Sequence, residues 1–272
     1  MNKSSPEQPR ARKRFGQHFL HDPGTIQRIV ASIQPRPGEC MLEIGPGPGA
    51  LTQALLPAVG TLDVVELDRD LIPMLKRACT GIGTLNVHVH DALTFDLCGL
   101  RVQRCPDSRL RVVGNLPYNI STPLLFHLLA QLPCIEDMHF MLQKEVVDRL
   151  AAEPGTKDYG RLSVMIQFYC EVEMLFVVGP GVFRPPPRVD SAVVRLRPRR
   201  VPPVAIDDPA ALAVVVKQAF SQRRKTLRNA LQPLLSAADI ARAGVDPGLR
   251  AERLGLADFA RLTNAFCSRR ST

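Results

Sequence analysis

Residues Met41 to Thr52, MLEIGPGPGALT, decide the fold. Met41, Leu42 and Ile44 make an apolar run, Gly45, Gly47 and Gly49 alternate, and Leu51, Leu55 and Leu56 follow at helical spacing. The order is strand, tight turn, helix. Glycine serves where φ must be positive or where backbone must approach a ligand without a Cβ, and a helix start adds unpaired N–H groups. The G-x-G-x-G spacing differs from the G-x-G-x-x-G of a dinucleotide fingerprint, and no Lys-Ser/Thr ending of a phosphate-binding loop follows it. Taken alone, the turn also suits an ordinary strand–helix–strand unit. Glu66 closes the next apolar run, Leu62, Val64 and Val65. A carboxylate at that neighbouring strand tip is placed to accept from both hydroxyls of a ribose. Together these features predict a nucleoside-containing cofactor lying across strand tips.

Outward from this stretch, strands are expected near 40–44, 61–66, 85–90, 109–114 and 136–142, and helices near 50–57, 70–79, 121–131 and 144–152. Such alternation predicts parallel β-α-β units with ligands at the carboxyl ends of the strands. Before it, Asp22-Pro23 is an N-cap and N1 pair, leading Ile26, Ile29, Val30 and Ile33 into an amphipathic helix. After it, a helix over 161–170 and strands near 172–178 and 191–196 complete the sheet as an edge hairpin. A proline- and arginine-rich stretch near residue 200 marks a boundary. The expected organisation is a disordered basic tail over 1–14, an α/β domain over 15–200 and a small all-helical domain over 201–272. The last carries eleven Lys or Arg against six Asp or Glu.

Two further strand tips carry chemistry. Asp91 ends the third strand, where a carboxylate either caps the next helix or accepts from an exocyclic amine. The fourth ends in Asn115-Leu116-Pro117-Tyr118. Asn offers a side-chain acceptor, proline fixes φ and lacks an N–H, and tyrosine offers a planar face. The set suits an amino group on an aromatic ring, gripped by two acceptors while the Tyr118 ring stacks on the base; a plain Asn-Pro turn is the simpler alternative.

Composition narrows the classes. The chain has 272 residues, 45% of them hydrophobic, and a formal net charge of +9. That suits a polyanionic partner such as nucleic acid, and the clusters at 10–14 (RARKR) and 222–228 (QRRKTLR) point to a binding surface. No apolar run reaches the ~20 residues of a membrane span. The seven cysteines include no C-x-x-C pair and read as core thiols of a reducing compartment, with neither zinc nor a disulfide framework indicated. No metal-ligand set stands out.

EIGPGPGALT, VELD ending in Asp68, HDA and NLPY, in this order, resemble a class I S-adenosylmethionine-dependent methyltransferase acting on adenine N6. RKRFGQHFL and VFRPPPRVDSAVVRL (Val182 to Leu196) narrow the resemblance to the ribosomal RNA small-subunit adenine N6,N6-dimethyltransferase family, from about residue 12 onward. It implies a Rossmann-like, mostly parallel seven-stranded sheet with a C-terminal helical domain. It implies an enzyme that dimethylates two adjacent adenosines in a loop near the 3′ end of small-subunit (16S) rRNA, with a role in subunit biogenesis. It further implies S-adenosyl-L-methionine as cofactor and no metal. The substrate would be rRNA within a pre-assembled 30S particle, and the enzyme a cytoplasmic monomer without membrane attachment. Carried over by residue, His18, Leu20, Gly45, Gly47, Glu66, Asp91 and Asn115 contact the cofactor. Asn115, Leu116 and Pro117 hold the target N6, and Tyr118 and Phe183 stack on the flipped base. The family usually has Asn where this chain has His18. Two alternatives are a large-subunit rRNA adenine-N6 enzyme conferring antibiotic resistance, which the Phe183–Ser191 stretch disfavours, and a non-catalytic RNA-binding assembly factor.

Overall fold

The structure, a computed structural model, describes Arg12, residues 16–222 and residues 224–270. The expected tail, apart from Arg12, lies outside these residues, as do Phe15 and Arg223. Phe19–Leu20 (β1) and Pro23–Ile33 (α1) lead into an alternation of Met41–Ile44 (β2), Thr52–Val59 (α2), Thr61–Val65 (β3), Ile72–Ala78 (α3), Thr84–His88 (β4), Leu97–Arg104 (α4), Leu110–Asn115 (β5), Ser121–Leu129 (α5), Ile135–Gln143 (β6) and Lys144–Ala151 (α6). Arg161–Tyr169 (α7), Cys170–Val178 (β7), Phe183–Arg184 (β8) and Ser191–Pro198 (β9) follow. The last helices are Pro209–Ala219 (α8), Leu227–Ala230 (α9), Ala237–Arg242 (α10) and Leu256–Arg270 (α11).

Seven strands form one sheet in the order β4-β3-β2-β5-β6-β9-β7. β2 lies parallel to both β3 and β5; β4 on β3 and β6 on β5 are parallel too, and β9 runs antiparallel on β6. Leu42, Leu62, Val64, Val112 and Val113 are fully buried, as in a parallel sheet covered on both faces. Chain order reverses at β2, so the crevice beyond its carboxyl end is where a ligand belongs. β2 and β5 can come close there because Gly114 lacks a side chain: a Cβ would stand 2.5 Å from the Ile44 carbonyl oxygen. Locally, α1 starts as expected, with the Asp22 carboxylate accepting from the Thr25 N–H at 2.7 Å and Pro23 in the first turn.

Beyond the two-residue strands β1 and β8, two further features of the sheet unit were not foreseen. One is α4, capped by Asp96, which accepts from the Gly99 N–H at 2.9 Å. The other corrects the reading of the cysteines. Cys98 is bonded to Cys134 and Cys40 to Cys105, with Cα–Cα distances of 5.3 and 6.2 Å. The pairs bracket α4. Their members stand 36 and 65 residues apart in sequence, so no local spacing announces them. Cys79 and Cys170 are buried free thiols, as expected.

The chain divides into two compact units, one of the residues up to Val147 with Glu173–Pro198, the other of Asp148–Val172 with the residues from Arg199 onward. The second unit therefore includes Asp148–Val172 beside the helices expected after residue 200. Its core includes Tyr159, whose hydroxyl donates to the Leu254 carbonyl at 2.8 Å, and stacked Phe220 and Phe259.

Candidate active site

The glycine turn beyond β2 floors a cavity of about 170 Å³ in the first unit. Gly45, Gly47 and Gly49 all have positive φ, at 68°, 56° and 96°. The turn is thus closed to L side chains by conformation, and at Gly49 by space as well, since a Cβ there would stand 2.9 Å from Leu75 Cδ1. Glu66, just past β3, fastens it: Oε2 accepts from the Gly47 N–H at 3.1 Å and Oε1 from the Asp68 N–H at 2.8 Å. Burial raises the Glu66 carboxyl above its ordinary value in spite of these donors. A carboxylate has about four lone-pair sites, so acceptor capacity for ligand hydroxyls remains. Beneath the turn, Glu43 is 2% exposed and accepts from the Thr52 hydroxyl at 2.6 Å. Burial pushes its carboxyl up to about 7, and the neighbouring Glu66 adds to the effect.

Asp91, past β4, lines the same cavity and accepts from the Leu93 N–H at 2.9 Å. At the tip of β5, Asn115 Nδ2 donates to the His18 carbonyl at 3.0 Å. That bond turns the side-chain oxygen the other way, and no described residue donates to it. The Leu116 N–H donates to Met141, whereas the Pro117 carbonyl accepts from the Ile120 N–H and the Ser121 hydroxyl at the start of α5. Of the two backbone carbonyls expected to hold an amine, Pro117's is therefore engaged within the chain, and Leu116's has no donor among the described residues. The Tyr118 hydroxyl bonds Ser191 Oγ at 2.6 Å, burial raises its pKa, and the His18 imidazole stacks on its ring at 5.3 Å between centroids and 30° between planes.

Gly45, Gly47, Glu66, Asp91, His18, Leu20, Asn115, Leu116, Pro117 and Tyr118 thus share one cavity. Phe183 does not join them. It is 2% exposed in the core, in β8, whose partner is β1, with Leu20 opposite Phe183. Two participants escaped the sequence reading, Glu43 under the turn and Ser191 behind Tyr118, and Arg12, read there as part of the 10–14 binding cluster, instead bonds Asp68 at 3.2 Å and also pairs with Asp70. The acid in β2, and Asp68 and Asp70 beyond β3, were visible as residue types, but nothing local paired them with Thr52 or Arg12.

Glu43, Glu66 and Asp91 line the cavity, and no Lys or Arg is among its described lining residues. Anionic phosphates would find no counter-charge there. A cation bearing hydroxyls and an amine matches the acids, so the residues fit S-adenosylmethionine. Among the described residues no group of three or more His, Cys, Asp or Glu is placed to hold a metal ion.

A profile described as ribosomal RNA adenine dimethylase matches residues 8–267. Ribosomal RNA small subunit methyltransferase A of Pseudomonas aeruginosa is 61% identical over 257 residues, covering 94% of this chain and 95% of the relative. That of Nitrosococcus oceani is 59% identical over 254 residues, covering 93% and 95%. Among solved structures, a dimethyladenosine transferase from Plasmodium falciparum superposes with a TM-score of 0.76 at 26% identity, covering 90% of this chain and 96% of the other. The 23S rRNA methyltransferase ErmE does so with a TM-score of 0.67 at 28% identity, covering 92% and 99%.

Proposed function

The chain belongs to the ribosomal RNA adenine dimethylase family, and from that premise we infer how its cavity works. It is an S-adenosylmethionine-dependent enzyme that dimethylates adenine N6 in small-subunit ribosomal RNA. The observation that carries the site reading is the Asn115 amide, whose Nδ2 is tied to the His18 carbonyl so that Oδ1 is left as an acceptor.

When bound, the cofactor supplies an electrophilic sulfonium methyl. Gly45 and Gly47 would cradle it, Glu66 would accept from the ribose hydroxyls, Asp91 from the adenine amine, and His18 and Leu20 would flank it. Asn115 Oδ1 and the Leu116 carbonyl accept the two N–H bonds of the target nitrogen. An adenine amine is a poor nucleophile because its lone pair is delocalised into the ring. Two directed acceptors favour a pyramidal nitrogen with the lone pair aimed at the methyl, which is orientation and electrostatic stabilisation. One N–H proton leaves to solvent after transfer. The second transfer needs an acceptor pair that tolerates one methyl in place of hydrogen. Reaching N6 requires an unstacked base, so a loop is the substrate and Tyr118 the stacking face. Phe183 can add a second face only if the β1–β8 pair that buries it opens.

Two adjacent adenosines near the 3′ end of the small-subunit rRNA, inside a pre-assembled particle, are the substrate we favour, with the enzyme acting as a cytoplasmic monomer. No helix among the described residues is long and apolar enough to cross a membrane. Residues 201–272, with the basic tail over 1–14, would supply phosphate contacts for RNA held by the domain over 15–200. The decisive experiment is mass spectrometry of small-subunit rRNA from cells lacking this protein. Loss of N6,N6-dimethyladenosine is expected, and its full retention would refute the assignment.

A further inference from the structure

We propose that the His18 imidazole is a positioning residue for the substrate base: it covers a face of Tyr118 in the waiting site and withdraws as the extruded adenine takes that face. The proposal rests on the reading of this cavity as an adenine-N6 methyltransferase site.

The geometry makes the two occupants mutually exclusive. The His18 and Tyr118 rings stand 5.3 Å apart. A flat base between two rings needs roughly 7–8 Å, twice a carbon–carbon contact distance of about 3.5–4 Å. The base therefore cannot slide between the two rings as they stand; one must move, and Tyr118 is the more firmly held. Its hydroxyl is bonded to Ser191, which is fully buried. His18 is held differently at its two ends. Its carbonyl accepts from the Asn115 amide, so the main chain is tied to the group that presents Oδ1. Its Nδ1 bonds the Pro185 carbonyl at 2.7 Å, on the exposed side. The imidazole can thus leave by side-chain rotation, giving up one hydrogen bond and its stacking on Tyr118, while the Asn115 amide keeps its direction. Pro185 and Ser191 flank one short segment, so that segment sets both ring planes.

The consequence is a discriminating threshold. Only a base that stacks on Tyr118 better than an imidazole does, and that also satisfies Asn115 and Leu116, opens the site. A closed fraction in the free enzyme weakens apparent RNA affinity by that fraction.

The test uses the full chain and an RNA hairpin with two adjacent loop adenosines, comparing wild type with His18→Ala and His18→Asn. Both variants lack the ring, and Asn keeps a donor for Pro185. The RNA KM should fall about fivefold in both, equivalent to about 1 kcal/mol at 1.4 kcal/mol per tenfold. With 8-vinyladenosine, a fluorescent adenine that keeps its N6 amine, at the target position, both should hold a larger share of bound RNA in the stacked, quenched state. An RNA KM and quenching equal to wild type in both variants, or an RNA KM raised in both, would overturn the proposal. So would a change in the S-adenosylmethionine KM alone, or a wild-type-like Asn variant beside an altered Ala variant. Should wild type fail to methylate this RNA outside a particle, the 8-vinyladenosine arm, which needs no turnover, still decides whether His18 yields to the base, while the functional reading stands or falls by the mass spectrometry of rRNA.

Discussion

Asn115 has its amide direction settled by main chain, not by substrate, because the His18 carbonyl can only accept. Asn115→Ala removes the acceptor without disturbing any group that would hold phosphate. Methyl transfer should drop by about 10²–10³ in kcat, the range for losing one preorganised polar partner, while filter-bound RNA affinity stays near wild type. Glu66→Ala should weaken calorimetric S-adenosylmethionine affinity by about tenfold or more, one polar partner's worth, since it releases both the Gly47 and the Asp68 N–H groups. Glu43 makes a prediction about pH. Its carboxyl, ordinarily at 4.5, is pushed up to about 7 by burial. Between those values the folded chain keeps a proton that the unfolded chain has lost, so this group's stabilisation is full below pH 4.5 and lost as pH rises to 7. His139 opposes it. Burial lowers its pKa from 6.5 to about 4, so stability is lost as pH falls through that window. Glu43→Gln should unmask the histidine: urea midpoints should rise from about pH 5 to about pH 7 more steeply than in wild type, with a difference on the order of 3 kcal/mol across the full window. At this scale the sequence displayed residue types and strand-tip positions in N-L-P-Y and V-E-L-D. It could not display which way an amide points or that an imidazole lies on Tyr118, because those depend on segments far apart in the chain, His18 on one side and Asn115 and Tyr118 on the other.

The strands and most helices were legible because buried parallel strands are continuous apolar runs punctuated by glycine turns. α4 was not. Its eight residues, LCGLRVQR, include a glycine and few large apolar side chains, and it forms because Asp96 caps it and tertiary packing holds Leu97 and Leu100. Missing α4 meant missing the bonds at its ends. Cys98–Cys134 and Cys40–Cys105 close long loops, each worth typically about 2–4 kcal/mol. Removing Cys98–Cys134 by a double Ser substitution should lower stability by that amount in non-reducing urea titrations, and added reductant should abolish the difference from wild type. The close approach of β2 and β5 offers a second test. Gly114→Ala would press a methyl against the Ile44 carbonyl 2.5 Å away. Overpacking of this kind costs about 1–3 kcal/mol, read as a lowered Tm.

Taken whole, the molecule is basic, yet its cavity is acidic, so the charge that attracts RNA lies elsewhere. Arg224 and Lys225 are exposed in the second unit, beside Arg223 in sequence. Replacing all three with Ala should weaken RNA binding and flatten its logarithmic salt dependence by roughly 2–3, at about 0.7–0.9 for each phosphate no longer neutralised. An unaltered slope would remove this cluster from the RNA interface. The net charge and the helical character beyond residue 200 were legible in composition. The return of Asp148–Val172 to the second unit was not, because nothing in its composition sets it apart from the strands and helices on either side. The pairing of Phe19–Leu20 with Phe183–Arg184 has one more consequence. A nascent chain carries the glycine turn early, but the β1–β8 pair, whose Phe19 ring lies against Gly47, can close over that turn only once residue 184 has left the ribosome. Cofactor added to stalled chains should shield the turn from protease only after that point, so the protein becomes competent for ribosome work in the last third of its own translation.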